Sequence, residues 1–169
     1  MKKNIAGKDS LKLIGCIVGM FLLLKVFFVV AFIPTGSMEP TIKEHSVVVG
    51  WRLVYLLSDP MPERGDIIIF DHEEFDEHLV KRVIGLPGDD VSIIEGKVFI
   101  DGEELEENYL KEPGSIFYDC QFFVPEDKLF VLGDNRNQSN DSRFWDNHFV
   151  NGKDVYAKVI LRINLSWLF

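Results

Sequence analysis

"HLVKRVIGLPGDDVSIIEGKVFIDGEEL", residues 78–105, decides the fold. "LVKRVIGL" has the length and β-branched content of a strand, and "PGDD" stops it. "VSIIEGKVFIDGEEL" follows as a hairpin, with Glu95-Gly96 at its first turn and Asp101-Gly102 at the next. On both sides the chain continues in the same way. "HSVVVG" reads as a short strand ending at Gly50, and "DPMPERGD" is turn chemistry. "IIIF" is continuously apolar, which suits a strand buried on both faces. "KLFVLG" and "DVYAKVILRI" add two more strands, while "WRLVYLLS" suits a strand or one helical turn. Residues 106–121 carry little pattern beyond a turn at Pro113-Gly114. Short strands joined by turns predict a mainly β domain.

The N-terminal part has a different character. Leu13 to Ile33 is apolar except for Lys25. As a helix it would cover a hydrocarbon core of roughly 30 Å. Alternatively the helix ends near Lys25, whose amine reaches outward, and "VFFVVAFI" is a strand in the membrane interface. Lys2, Lys3, Lys8 and Lys12 precede the span, which places the N-terminus in the cytoplasm and the rest outside. A signal peptide cleaved after Ala31 is the competing reading. The expected organisation is a basic leader at 1–12, an anchor at 13–33 and an extracytoplasmic catalytic domain at 34–169. A small β insert is expected at about 90–128.

The net charge is −9, and the basic residues of the leader leave the body still more acidic. That balance argues against a nucleic-acid partner. Cys16 and Cys120 lie far apart, and Cys16 falls in the apolar run, so neither a disulfide nor a thiolate metal site is expected. "HEEFDEH" fails the zinc pattern H-E-x-x-H, because Asp76 stands where the second histidine belongs.

Three stretches could carry chemistry. In "IPTGSMEPTI", residues 33–42, Pro34 and Pro40 forbid a continuing helix, and Gly36 allows a sharp bend beside Ser37. A serine nucleophile needs a base. His45, His72, His78 and His148 are read as surface residues, which leaves lysine. Strand alternation puts Leu79, Lys81 and Val83 on one face and Val80, Arg82 and Ile84 on the other. Both faces are apolar. The segment is either an edge strand whose charges reach solvent or a strand that buries an amine and lowers its pKa from about 10.4. The third stretch, "GDNRNQSNDSR" (133–143), is an Asx-rich turn, a calcium loop spoiled at Arg136, or a buried polar network able to orient an amine. If Lys81 faces the serine, Arg82 buries its guanidinium on the opposite side, and Asp134 is its expected two-point partner.

Together these stretches resemble the type I signal peptidases, membrane-anchored serine–lysine endopeptidases. The likeness rests on "PTGSMEPTI", "RGDIIIF", "KRVIGLPGD" and "LGDNRNQSNDSRFW", and less strongly on "GKVFIDGEEL" and "GKDVYAKVILRI". It extends over nearly the whole chain, and the short build is more like the Gram-positive enzymes. The resemblance implies a fold of two antiparallel sheets. It makes Ser37 the nucleophile and Lys81 the general base. Thr35 and the Ser37 N–H would serve the oxyanion. Ser139 would orient the Lys81 amine, and Asp141 and Arg143 would pair to stiffen their loop. It implies no cofactor and no metal, a monomer in contact with membrane lipid, and signal peptides of exported preproteins as substrates, cut after Ala-X-Ala. The substrate would bind as an added strand between the segment before Ser37 and that near Lys81. Asp146 and Ala157 stand where many relatives have glycine. A self-cleaving regulator would need a DNA-binding region in place of the anchor. A noncatalytic or dedicated pilus-assembly factor on the same scaffold is the other alternative. General secretory proteins and a pilin-type client both stay open as substrates.

Overall fold

The computed structural model describes residues 5–53, 55, 61–112, 114 and 119–165. Helix α1, Ile5–Phe27, runs directly into strand β1, Phe28–Ile33. The apolar run is thus split: the helix begins well before Leu13, ends just past Lys25, and hands its β-branched and aromatic remainder to a strand. Ser10–Phe27 is long and apolar enough to cross a membrane.

The larger sheet comprises β1, β2 (Ser46–Trp51), β3 (Ile67–Phe70), β4 (Leu79–Gly85), β9 (Lys128–Leu132), β10 (Val150–Asn151) and β11 (Val155–Asn164). Its order is β1-β2-β11-β3-β4-β9-β10, with every pairing antiparallel. The strand bearing Lys81 and Arg82 is therefore interior, not an edge. All four residues of "IIIF" are buried because the sheet is covered on both faces. Ile68 and Phe70 join Val83, Val131 and Trp145 in one core. Ile67 and Ile69 join Ile33, Met38, Ile42 and Val48 in another. Each such side chain contributes roughly 1.5–3 kcal/mol by leaving water.

The smaller sheet comprises β5 (Asp90–Ile94), β6 (Lys97–Ile100), β7 (Glu103–Glu104) and β8 (Cys120–Phe123), in the order β7-β6-β5-β8. Both expected turns are present. Glu95 and Gly96 have φ of 50° and 78°, and Asp101 and Gly102 have 52° and 85°. These left-handed pairs match the twist of two-residue hairpins. A third core, including Ile84, Val91, Val98, Phe130 and Leu132, joins the two sheets. Arg64 ties "RGD" to "PGD" by donating to the Ile84 carbonyl at 2.6 Å and to Asp89 at 2.8 Å.

Two stretches fall partly outside the described residues. In "WRLVYLLS", Trp51 closes β2 and the Tyr55 N–H donates to Arg52 O at 3.0 Å, while residues 54 and 56–58 are outside. At the expected Pro113-Gly114 turn, Pro113 is outside. One histidine differs from expectation. His72 is buried, with its ring 4.3 Å from that of Trp145 and its Nε2 3.1 Å from Asn147 O. The acidic residues around it suggest a solvated loop, but Trp145 draws the ring into the core.

Candidate active site

Ser37 sits where the chain leaves β1. Met38 and Ile42 are fully buried and pin the segment from below. Glu39 N–H donates to Gly36 O at 3.1 Å and Ile42 N–H to Met38 O at 2.8 Å, so the prolines flank a tight turn. From above, Asn135 holds the same segment. Its N–H donates to Ser37 O at 3.0 Å, and its Nδ2 donates to Gly36 O at 3.0 Å.

Lys81 reaches this serine from β4. Its Nζ lies 3.1 Å from Ser37 Oγ and 3.2 Å from Val80 O. Only 5% of the residue is exposed. Burial holds its pKa below the ordinary amine value, against the opposing pull of Asp141 and Asp134. The other candidate bases have partners of their own. His78 pairs with Asp71 and stacks on Tyr156, and His148 Nδ1 lies 2.7 Å from Ser142 O.

The loop after β9 closes the site. Arg82 pairs with Leu132 across the sheet, so the loop beginning at Gly133 starts beside Lys81. Asp141 is fully buried and accepts the Gly133 N–H at 3.0 Å. It also accepts Arg143 Nε at 2.8 Å and Nη2 at 3.0 Å. Arg82 turns to the opposite side from Lys81, as alternation requires, and meets Asp134. Ser139 lies against Gly133, but its Oγ is buried without a hydrogen-bond partner among the described residues. The expected Ser139–Lys81 bond is not formed here; the amine turns to Val80 O instead.

A cleft of about 90 Å³ opens beside the pair. Ala31, Ile33, Met38, Ile69 and Val80 give it apolar walls. Thr35, Ser37, Lys81, Glu77 and His78 also line it, and Thr35 is exposed there. Sequence reasoning missed Asn135 and the Glu107–Arg136 ion pair behind the loop. Asn135 was within the polar loop already singled out. Glu107 lies in a stretch whose pattern carried no signal.

A family model described as signal peptidase, peptidase S26, matches residues 8–164. A probable signal peptidase I-2 of Synechocystis is 41% identical over 78% of this chain and 61% of its own length. A signal peptidase I of Leptolyngbya laminosa is 36% identical over 91% of this chain and 78% of its own. Among solved structures, a signal peptidase I from Enterococcus faecalis superposes with a TM-score of 0.51 at 32% identity, covering 60% of this chain and 98% of that one. The chain belongs to the signal peptidase family, peptidase S26, and with it to the serine proteases.

Proposed function

We propose that the protein is a signal peptidase I that removes N-terminal signal peptides from exported preproteins, with Ser37 as nucleophile and Lys81 as general base. The observation that carries this reading is the 3.1 Å approach of a buried lysine amine to the Ser37 hydroxyl. A neutral amine at that distance takes the Oγ proton as Oγ attacks the scissile carbonyl. The oxyanion is received by the Ser37 N–H and the Thr35 hydroxyl. As the C–N bond breaks, the protonated amine gives its proton to the leaving N-terminus, and an ester on Ser37 remains. Lys81 then deprotonates water, which attacks the ester and frees the signal peptide. The Val80 carbonyl steadies the amine during these transfers, and Asp141 with Arg143 holds the loop that lies beside it.

The substrate enters as a strand between residues 31–35 and 79–81, placing alternate side chains against the enzyme. The small apolar cleft suits alanine at the first and third positions before the cut. Helix α1 anchors the chain in the membrane, with the lysine-rich N-terminus cytoplasmic and the catalytic domain outside. Val30 and Phe32 on β1 and Ile160, Leu161 and Ile163 on β11 are exposed on the two strands that flank β2 in the sheet that follows the anchor, which suits contact with lipid. The enzyme acts as a monomer.

The test is hydrolysis of a fluorogenic Ala-X-Ala peptide by the full chain in detergent, beside Ser37→Ala and Lys81→Ala. Cleavage by the wild type alone is expected. Activity retained by Lys81→Ala beyond a few per cent would move the base to a histidine.

A further inference from the structure

The loop that closes the site is suspended from behind. Gly133 and Asn135 meet the serine segment: Gly133 packs against Ser37 O, and Asn135 bonds it. The side chains between and after them, Asp134 and Arg136, have partners outside the loop. Asp134 is held by Arg82. Arg136 donates through Nη1 to Glu107 at 2.9 Å and through Nη2 to the same carboxylate, while its Nε donates to Gly133 O at 3.1 Å.

Both anchors converge on one short segment. The Tyr109 ring lies 3.9 Å under the Arg82 guanidinium, and its hydroxyl donates to Glu107 Oε1 at 2.5 Å. Burial and the Glu107 carboxylate push the Tyr109 pKa upward, so the hydroxyl stays a donor. The side chains of Arg136, Glu107 and Arg82 are only 2%, 7% and 11% exposed. Water therefore has little access to replace a lost partner. Residues 107–109 lie between β7 and β8, two strands of the smaller sheet.

We propose that Tyr109 and Glu107 are positioning residues for the Ser37–Lys81 pair, acting through the two arginines they hold. The inference rests on the serine–lysine reading above. Loss of either partner loosens the loop and lets water reach the amine. Asp141 and, from the Arg82 side of β4, Asp134 act on that amine through their charge, and Glu77 and His78 line its cleft. Burial is the largest influence on Lys81, so partial hydration raises its pKa despite the retreat of the two carboxylates.

The experiment measures kcat and KM for the Ala-X-Ala peptide from about pH 6 to about pH 10 with the full chain in detergent. Glu107→Gln, Tyr109→Leu and Tyr109→Phe are compared with Glu104→Gln, which removes only the exposed Lys97–Glu104 pair. Glu107→Gln and Tyr109→Leu are expected to lower kcat about tenfold at neutral pH, with KM within about twofold and the rising limb moved upward by about half a pH unit. Tyr109→Phe keeps the ring and should lose about threefold, with the same direction of shift. It carries the test if the other variants do not fold. Glu104→Gln should match the wild type. An unmoved limb, or losses that merely follow the folded fraction, would overturn the inference while Lys81→Ala remains inert. If Lys81→Ala cleaves, the serine–lysine reading falls and takes this inference with it.

Discussion

Arg82 and Asp134 form a two-point ion pair, Nε to Oδ1 at 2.8 Å and Nη2 to Oδ2 at 2.6 Å, with the Asp134 side chain only 1% exposed. Arg82 also donates to Gly65 O at 2.8 Å, so its planar head joins the lysine strand, the "RGD" turn and the polar loop. Arg82→Lys cannot reproduce this fork. Arg82→Lys and Asp134→Asn should each lower the unfolding midpoint and cleavage together, and Asp134→Asn, which leaves the Arg82 charge buried without its counter-ion, should cost up to about 3–5 kcal/mol of stability. The double variant should cost less than the sum, with a coupling of about 0.5–3 kcal/mol in denaturant titrations. Additive effects would reject the pair as the tie between strand and loop.

Gly133 gives a second prediction. A Cβ at this position would collide with the Ser139 side chain and with the Ser37 carbonyl oxygen. Ser139 can turn, but the serine backbone cannot retreat, because Met38 and Ile42 fix it. Gly133→Ala should therefore displace the loop from the serine, costing about 1–3 kcal/mol of stability and at least about tenfold in kcat. Gly102→Ala is the comparison. It strains a left-handed turn in the smaller sheet, where nothing crowds the added methyl. Equal activity in the two variants would show that the space beside Ser37 is not critical.

The strands were legible because their signals are local. "IIIF" announced burial on both faces, and Glu95-Gly96 and Asp101-Gly102 announced their turns. Alternation alone separated Lys81 from Arg82, which the register confirms by setting them against Ile68 and Ile67. What stayed hidden depends on distant packing. Nothing near Glu107 or Tyr109 says that they will meet Arg136 and Arg82 across the two sheets. The burial of His72 depends on Trp145, far along the chain. The Val80 carbonyl, which takes the place expected of Ser139 at the Lys81 amine, is a backbone group with no sequence signature.

The cleft yields a prediction about specificity. Its walls include Ile33 and Ile69, both in the core, so it cannot widen without moving β1 or β3. Replacing the alanine before the cut by leucine should lower kcat/KM by at least about a hundredfold, close to the upper range for a pocket that must exclude added methylenes. Ile69→Ala should recover part of the leucine peptide's rate and slow the alanine peptide. Equal rates for both peptides in the wild type would place the binding pocket elsewhere.

The last prediction concerns Lys81 and pH. Its folded pKa lies below the ordinary lysine value, with burial as the main cause. On the proposed mechanism the neutral amine is the competent base, so the rate should rise with pH along a limb centred below about 10.4. Stability follows with a definite sign. Between the lowered folded value and the unfolded value, the unfolded chain binds more protons, so stability increases with pH across that window. Below the window both states are protonated and the folded state bears the full cost of a buried ammonium. Above about 10.4 that cost is gone. Lys81→Met fills the same space without the charge. It should be inactive yet more stable than the wild type at neutral pH, by about 1.4 kcal/mol for each pH unit separating the two values, less the bonds lost to Ser37 and Val80. The gain should shrink as pH approaches the unfolded value. Denaturant titrations of both proteins from about pH 6 to about pH 10 measure it directly. A difference that does not vary with pH, together with a flat wild-type rate profile under rate-limiting chemistry, would mean that Lys81 is not the titrating base.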